Sequence, residues 1–280
     1  MISQVVGLDA GGAAAALENG DVLFLQKRGF AVHTDEMAFF TPAILAAGKN
    51  VSFDPMTGRI HGTSLVGDAA ARLVRMLSRF SDESSKLIPE LCPEYCEKLQ
   101  RARTSFRPAE IAGRASSWRK DDTRLHVDSF PATPVQGRRI LRVFSNVNPD
   151  GRPRSWRIGD DFESVARRFG AVLRLPLPGS AILLRLLRVT KTARSPYDAL
   201  MLQLHDRMKA DADYQACAPQ TPFAFPAGTT WIAFTDQVSH AAMTGQYQLE
   251  QTFLLPVDAM LDGERSPLRV LERLKERVLV

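Results

Sequence analysis

The 280-residue sequence has few cysteines, no low-complexity tract and no long hydrophobic run. Its three cysteines are an odd number, and Cys92 and Cys96 are four residues apart. That spacing fits one face of a helix better than a zinc knuckle. We therefore expect free thiols in a reducing cytoplasm, and neither a disulfide framework nor a structural zinc site.

Long apolar stretches are also absent. A transmembrane helix needs about 18 or more apolar residues, and the most apolar run, SAILLRLLRV, is interrupted by Arg185 and Arg188. The N-terminus lacks the basic start and apolar core of a cleaved signal. We expect a cytoplasmic protein without a membrane span.

The composition is that of a globular protein, 45% hydrophobic and 24% charged. The net charge of +5 favours an anionic partner, whether a phosphate, a carboxylate or a membrane surface. The basic residues are dispersed and no recognition motif appears, so no nucleic-acid partner is expected.

Strand patterns fall in two blocks, at about residues 111–158 and 221–257. The part at about 1–110 reads as mixed, with the strand DVLFLQ, a helix over MAFFTPAILAAG and two amphipathic helices after residue 66. A helical insert is expected at about 160–215. The last helix, at about 266–280, has Ser266 as N-cap.

Neither strand block can close a core alone, which favours one domain over residues 1–280. The two blocks then share a core at about 111–258. The expected architecture is an antiparallel sandwich or barrel braced by helices.

The stretch RLHVDSFPATP places His126 and Asp128 two residues apart in a strand-like segment, so both side chains point to one face. His240 lies at the start of the last strand block. Two histidines and one carboxylate on one face match the facial triad of non-heme Fe(II) oxygenases. The alternative is that His126 and Asp128 form a surface pair and His240 caps a strand.

Five further stretches extend this pattern: ENGDVLFL, GKNVSFDP, SSWRKDDTRLHVDSFPATPVQGRRILRVFSNVNP, YDALMLQLHDRMKADADYQ and LEQTFLLP. Together with PAGTTWIAFTDQVSHA they resemble the bacterial Kdo hydroxylases, which belong to the Fe(II)/2-oxoglutarate-dependent dioxygenases. The resemblance covers about residues 15–257. It implies an α+β fold with a double-stranded β-helix (jelly-roll, cupin-like) core.

The resemblance also implies an activity. These enzymes add a hydroxyl at C3 of 3-deoxy-D-manno-oct-2-ulosonic acid (Kdo) in the inner core of lipopolysaccharide, so the implied partners are a Kdo-containing lipid A precursor and molecular oxygen. Fe(II) would be held by His126, Asp128 and His240, and 2-oxoglutarate would chelate it. Catalysis would rest on the iron centre alone, whose oxidant removes a hydrogen from the sugar.

The distal carboxylate of 2-oxoglutarate needs a buried cation, which many relatives place ten residues after the last histidine. Here that residue is Glu250, a departure from the pattern. In ILRVFSNVN, strand parity puts Arg142 and Asn146 on one face, where Arg142 can pair with a carboxylate. These two residues and Thr252 are the expected contacts of 2-oxoglutarate. The alternative is that Arg142 pairs with Glu250 or reaches solvent.

Trp118, Arg119 and Arg124 precede the metal strand and are expected to bind the acidic sugar. The alternative is a solvated strand edge. The C-terminal helix has a leucine stripe flanked by basic residues. It either makes a peripheral contact with the inner membrane or packs on the sheet.

Two other functions remain open. One is a 2-oxoglutarate oxygenase with a different small-molecule, lipid or protein substrate. The other is a non-catalytic module that binds sugar or lipid, which is disfavoured because all three expected metal ligands are present.

Overall fold

The computed structural model describes residues 2–4, 12–46 and 48–280, which form two β-sheets and seven α-helices. The strands are β1 (Ile2–Gln4), β2 (Val22–Leu25), β3 (Val51–Asp54), β4 (Arg59–His61), β5 (Gln100–Arg107), β6 (Arg139–Asn146), β7 (Arg154–Ile158), β8 (Thr221–Phe225), β9 (Thr229–Phe234), β10 (His240–Thr244) and β11 (Gln248–Leu255). The helices are α1 (Gly12–Glu18), α2 (Gly67–Leu91), α3 (Phe162–Gly170), α4 (Ser180–Leu186), α5 (Pro196–Ala210), α6 (Ala212–Cys217) and α7 (Pro267–Lys275).

The larger sheet has the strand order β1-β2-β9-β6-β11-β5-β3-β4, and the smaller sheet has the order β10-β7-β8. Every strand pair except β1–β2 is antiparallel. The sheets share one buried aromatic cluster, in which Phe225 of β8 stacks on Trp231 of β9 with ring centroids 4.1 Å apart. This face-to-face packing confirms the predicted antiparallel sandwich braced by helices.

Strand parity gives the larger sheet two different faces. On β6 the aliphatic residues Leu141 and Val143 pack with α1 and α2 in the outer core. Phe144 lies on the opposite face, within the aromatic cluster between the sheets. The interior of the sandwich therefore holds the aromatic cluster with a few aliphatic residues, and the larger aliphatic core lies outside it.

Helices cover the outside of both sheets. On α2 the buried residues Leu73, Leu77 and Phe80 recur at three- and four-residue spacing, as expected of a half-buried helix. Helices α3, α5, α6 and α7 contribute to a second core beside the smaller sheet. Within the described residues, no helix combines the length and apolar character needed to cross a bilayer.

The C-terminal helix begins as predicted, with the Ser266 side chain accepting a hydrogen bond from the Arg269 N–H. Its residues Leu268 and Leu271 are buried in the core beside the smaller sheet. The part of the apolar stripe formed by Leu268 and Leu271 therefore packs on the protein.

Three predictions for the N-terminal part are wrong. The expected helix over MAFFTPAILAAG consists of two short 3-10 turns, Thr34–Phe39 and Pro42–Ile44. The two expected amphipathic helices are the single helix α2 followed by strand β5. The shared core starts well before residue 111, because β5 pairs with β11 inside the larger sheet. That pairing joins segments about 145 residues apart, so the local sequence pattern does not reveal it.

Candidate metal centre

Two short backbone connections bring the predicted metal ligands together. His126 lies in an extended segment before β6 and forms a β-bridge with His240, the first residue of β10. The His126 N–H donates to the His240 carbonyl at 3.0 Å, and the His240 N–H donates back at 2.9 Å. The Asp128 N–H donates to the Thr235 carbonyl at 2.7 Å. The segment around His126 thus pairs with β10 through one β-bridge only. Its side chains alternate as in a strand, but it is shorter than the strand predicted from the sequence.

The three side chains form one compact group. A ligand atom from each of His126, Asp128 and His240 lies within 4.8 Å of the others. The His126 Nε2 and the Asp128 Oδ1 are 3.8 Å apart. Among the described residues this is the one group of three or more histidine, cysteine or carboxylate side chains with metal-ligand spacing.

The imidazole tautomers are fixed by the backbone. The Nδ1 of His126 is 2.7 Å from the Arg124 carbonyl, and the Nδ1 of His240 is 2.8 Å from the Val238 carbonyl. Because a carbonyl only accepts, each Nδ1 carries the proton and each Nε2 keeps its lone pair for a metal. Burial lowers the pKa of both histidines, which keeps the rings neutral.

The third donor is an ionised carboxylate. Burial acts to raise the pKa of Asp128, but the neighbouring Arg142 guanidinium acts in the opposite direction, and the pKa is lowered. The Asp128 Oδ2 is buried without a hydrogen-bond partner. Two neutral imidazole nitrogens and one carboxylate oxygen are the donor set of a facial Fe(II) site, so these residues fit that metal.

The ligand group opens into a small cavity of ≈ 60 Å³ between the two sheets. Its lining residues are Arg107, Asp122, His126, Asp128, Arg142, Phe144, Arg154, Trp156, His240, Ala242, Gln248 and Glu250. Five of them carry a buried polar atom that lacks a hydrogen-bond partner: Asp128 Oδ2, Arg142 Nε, Arg154 Nε, Trp156 Nε1 and Gln248 Oε1. Buried polar groups are normally paired, so this cavity is built to receive a polar ligand.

Glu250, where a cation was expected, is held by two arginines. Its Oε1 lies 2.8 Å from Arg142 Nη1, and its Oε2 accepts from Arg107 Nε at 3.0 Å. Arg142 is also 3.4 Å from the Asp128 Oδ2. The structure therefore shows the alternative in which Arg142 pairs with Glu250, although Arg142 still lines the cavity.

Among the three arginines that line the cavity, Arg154 on β7 is the one that forms no ion pair with a carboxylate. Its Nη1 donates to the Gly245 carbonyl at 2.6 Å, and its Nε has no partner. No ion pair joins it to any carboxylate in the described part of the chain. Burial and the neighbouring Arg107 guanidinium lower the pKa of Arg154 to about 9, so it is still charged at neutral pH.

Sequence reasoning did not find Arg107, Arg154 or Gln248. Arg107 ends strand β5, whose first four residues lie in the stretch that is predicted as helix. Arg154 and Trp156 are two residues apart in RSWRI, so their side chains point to the same face of the strand. An arginine beside a tryptophan on one strand face was the sequence feature that could have indicated Arg154 as a binding residue.

The other two expected 2-oxoglutarate contacts lie outside the cavity lining. The Asn146 amide donates to the Arg152 and Phe225 carbonyls, and its oxygen accepts from the Asn148 N–H. Its hydrogen-bonding capacity is thus used to connect the ends of strands. Thr252 lies directly across the β6–β11 pair from Arg142.

The three expected substrate contacts lie on a neighbouring surface. Trp118 and Arg119 line a separate cleft with residues of α5, and the Arg119 guanidinium lies 4.0 Å from the centre of the Trp118 ring. Arg119 also pairs with Asp206 of that cleft at 3.2 Å. Arg124 donates to the Lys209 carbonyl and is not part of the cleft lining.

Helix α5 connects this cleft to the metal centre. The His205 ring lies edge-on to the His126 ring, with centroids 5.3 Å apart. The next residue, Asp206, lines the cleft with Trp118. Two consecutive residues of α5 therefore connect the two sites. His205 contacts the candidate metal ligand His126, and Asp206 lines the cleft.

Comparisons with known proteins agree with this geometry. Residues 8–278 match the family model described as 3-deoxy-D-manno-oct-2-ulosonic acid (Kdo) hydroxylase. No curated protein matches the chain.

Solved structures of the Kdo hydroxylase KdoO, a non-heme Fe(II) alphaketoglutarate-dependent dioxygenase, are similar over 100% of this chain and 97% of theirs. The complex with alphaketoglutarate and Fe(III) is 45% identical, with a TM-score of 0.95. The cobalt(II) complex is 46% identical, with a TM-score of 0.96, and the apo structure is 46% identical, with a TM-score of 0.95. This likeness confirms the jelly-roll expectation.

Proposed function

Because the chain belongs to the Kdo hydroxylase family, we propose that it hydroxylates Kdo with Fe(II), 2-oxoglutarate and molecular oxygen. We further propose that the hydroxyl enters at C3 and that the acceptor is the Kdo–lipid A precursor of the lipopolysaccharide inner core. The observation that carries the proposal is the cavity between the sheets. It joins three residues with metal-ligand spacing to buried polar atoms without partners.

His126, Asp128 and His240 are the proposed Fe(II) ligands. With Fe(II) and 2-oxoglutarate bound, the centre supplies oxygen activation. The balanced reaction converts 2-oxoglutarate, dioxygen and a C–H group into succinate, carbon dioxide and a C–OH group. One oxygen atom enters succinate and the other enters the sugar.

The charges at the cavity favour a dianionic co-substrate. Three carboxylates and three arginines line it, so their charges cancel: Asp122, Asp128 and Glu250 against Arg107, Arg142 and Arg154. Fe(II) would add two positive charges. 2-Oxoglutarate carries two negative charges, so it would balance the metal.

We propose that Arg154 binds the distal carboxylate of 2-oxoglutarate. It is buried, charged and without a carboxylate partner, whereas Arg142 already contacts two carboxylates. The Trp156 indole N–H is a second buried donor on the same face of β7. Arg142, Asn146 and Thr252 stay predictions for this site, and of these Arg142 alone lines the cavity.

Aromatic residues complete the cavity. Trp156 stacks on His240 with ring centroids 4.9 Å apart and an interplanar angle of 23°. Phe144 packs edge-on against Trp156 at 5.0 Å. These rings hold the His240 imidazole in place and keep bulk water from that wall, which strengthens the charge interactions inside the cavity.

For the acceptor, we propose the cleft beside α5. Trp118 offers a ring face for a sugar, and Arg119 offers a cation for its carboxylate. Arg124 lies beside this region and stays a predicted substrate contact. An acceptor attached to lipid A lies at the inner membrane, so we propose that the enzyme works on the cytoplasmic side of that membrane.

Acceptor-dependent turnover tests this function. We expect succinate formation to require Fe(II) and to rise strongly when Kdo–lipid A is added, with lipid A lacking Kdo as the matched control. Stimulation by a different substrate alone would support another 2-oxoglutarate oxygenase. An absence of 2-oxoglutarate turnover in every condition would leave the non-catalytic sugar- or lipid-binding module.

A further inference from the structure

The surface formed by residues 172–191, between α3 and α5, differs from the rest of the molecule, and we call it the apolar–basic segment. It contains α4, none of whose residues is buried. Of the fourteen exposed large hydrophobic side chains among the described residues, eight lie in this segment: Val172, Leu175, Leu177, Ile182, Leu183, Leu186, Leu187 and Val189. Single exposed hydrophobic residues are ordinary, but a contiguous group of this size marks an interaction surface.

The charged residues of the segment all have one sign. It contains Arg174, Arg185, Arg188 and Lys191 and no acidic residue. All four cations are exposed, and none forms an ion pair with a carboxylate of the described chain. Alkyl side chains next to unpaired cations are the combination that binds an anionic lipid surface, with acyl chains below and phosphates above.

The exposed apolar side chains of α4 point in a common direction. At about 100° per residue, Ile182, Leu183 and Leu186 fall within an arc of roughly 100° on the helix. The ends of the segment are fixed, because Leu173 and Thr190 are both buried. The helix therefore presents a coherent apolar face from an anchored base.

The position of the segment relates it to the metal centre. The Lys191 N–H donates to the Ala132 carbonyl at 3.0 Å, and the Arg194 side chain donates to the Pro131 carbonyl at 2.7 Å. Both acceptors lie in the loop that follows Asp128. A surface bound by the segment would thus lie beside the loop that leaves the metal ligands.

We propose that the apolar–basic segment docks the protein on a bilayer that contains anionic phospholipids. This inference rests on the proposed function in one respect, since an acceptor carried by a membrane lipid gives the docking its use. A protein partner is less favoured, because the exposed side chains are almost entirely alkyl groups and cations and lack acceptors for directed hydrogen bonds. The docking surface is distinct from α7, whose residues Leu268 and Leu271 are buried.

Vesicle sedimentation of the full-length protein tests the proposal. We expect binding to vesicles of phosphatidylcholine with phosphatidylglycerol, and weak binding to phosphatidylcholine alone. The double variant Leu183→Asp/Leu186→Asp should weaken partitioning at least about tenfold, because it removes two alkyl groups and adds two negative charges. The matched control is Met56→Asp/Val66→Asp, which changes two apolar residues elsewhere that are at least as exposed, and it should bind like the parent protein.

A second variant, Arg185→Glu/Arg188→Glu, keeps the apolar face but reverses two charges. Its binding should fall below that of the parent protein most strongly at low salt, because charge interactions are screened least there. Circular dichroism checks that each variant is folded. Equal binding by the parent protein and both segment variants would overturn the proposal. So would a dimer in solution that the Leu183→Asp/Leu186→Asp change abolishes, because the occupant would then be a second copy.

The docking test does not depend on turnover. If the proposed function is wrong but docking is right, the vesicle results stand without any Kdo-dependent succinate. If docking is wrong but the function is right, the segment variants turn over an acceptor embedded in vesicles as fast as the parent protein does. If both are right, the variants lose turnover in vesicles and keep it with a detergent-dispersed acceptor.

Discussion

His240→Ala is expected to weaken metal binding severely and to abolish iron-dependent turnover. His240 supplies one of three donor atoms that lie within 4.8 Å of each other, and its Nε2 is kept free by the Nδ1 contact with the Val238 carbonyl. Loss of a residue that merely supports a metal ligand costs about 10–100-fold in affinity. Loss of a ligand should therefore weaken Fe(II) or Co(II) binding by at least about 100-fold, measured anaerobically as metal bound per chain.

The chain offers a matched control in His205→Ala. Both histidines touch the His126 ring, with centroids 4.7 Å away for His240 and 5.3 Å away for His205. The His205 side chain is outside the group with metal-ligand spacing and contacts Asp206 instead. We expect His205→Ala to bind one metal ion per chain. Loss of metal in both variants, or in His205→Ala alone, would show that the ligand set is wrong.

The second large effect is expected for Arg154→Met. This change keeps a long side chain but removes the buried charge that we assign to the distal carboxylate of 2-oxoglutarate. Removing one partner of a buried charge pair costs roughly 2–5 kcal/mol, or about 30- to 5000-fold in affinity. The dissociation constant for 2-oxoglutarate, measured by anaerobic calorimetry on the Co(II)-loaded protein, should rise within that range, while Co(II) binding in the absence of 2-oxoglutarate should stay close to that of the parent protein.

Two further arginines make this experiment specific. Arg157→Met changes the same strand, but Arg157 is outside the cavity lining and donates to the Thr123 carbonyl, so 2-oxoglutarate affinity should be unchanged. Arg142→Met tests the residue predicted from the sequence. A larger loss of affinity in Arg142→Met than in Arg154→Met would return the anchoring role to Arg142.

The candidate metal ligands could be predicted because strand parity is a local rule. His126 and Asp128 are two residues apart, so any extended backbone places them on one side. His240 completes the residue set of a facial triad, and the family resemblance favoured this set over the alternative of a surface pair. The structure adds the His126–His240 bridge, which explains how two distant segments present one group of ligands.

The arginines around the cavity could not be assigned in the same way. Whether Arg107, Arg142 or Arg154 is free to bind an anion depends on where Glu250 lies, and that follows from the pairing of β11 with β5 and β6. Such pairings join distant parts of the chain, so local periodicity contains no information about them. For the same reason β5 was not predicted from the sequence, since QRARTSFR lacks a continuous apolar face.

The exposure of α4 could not be predicted from the sequence, for a different reason. SAILLRLLRV is the most apolar run in the sequence, and apolar runs are usually buried. Only the structure shows that the run lies between two buried residues and is itself exposed.

Oxygen-isotope labelling is the most direct test of whether this protein hydroxylates Kdo at C3. The protein is incubated with Fe(II), 2-oxoglutarate, Kdo–lipid A and ¹⁸O₂, and succinate and the lipid are analysed by mass spectrometry. We expect one ¹⁸O atom in succinate and one in the Kdo residue, at C3, in equal amounts. Labelled succinate without label in Kdo, under conditions where the acceptor is bound, would contradict this expectation.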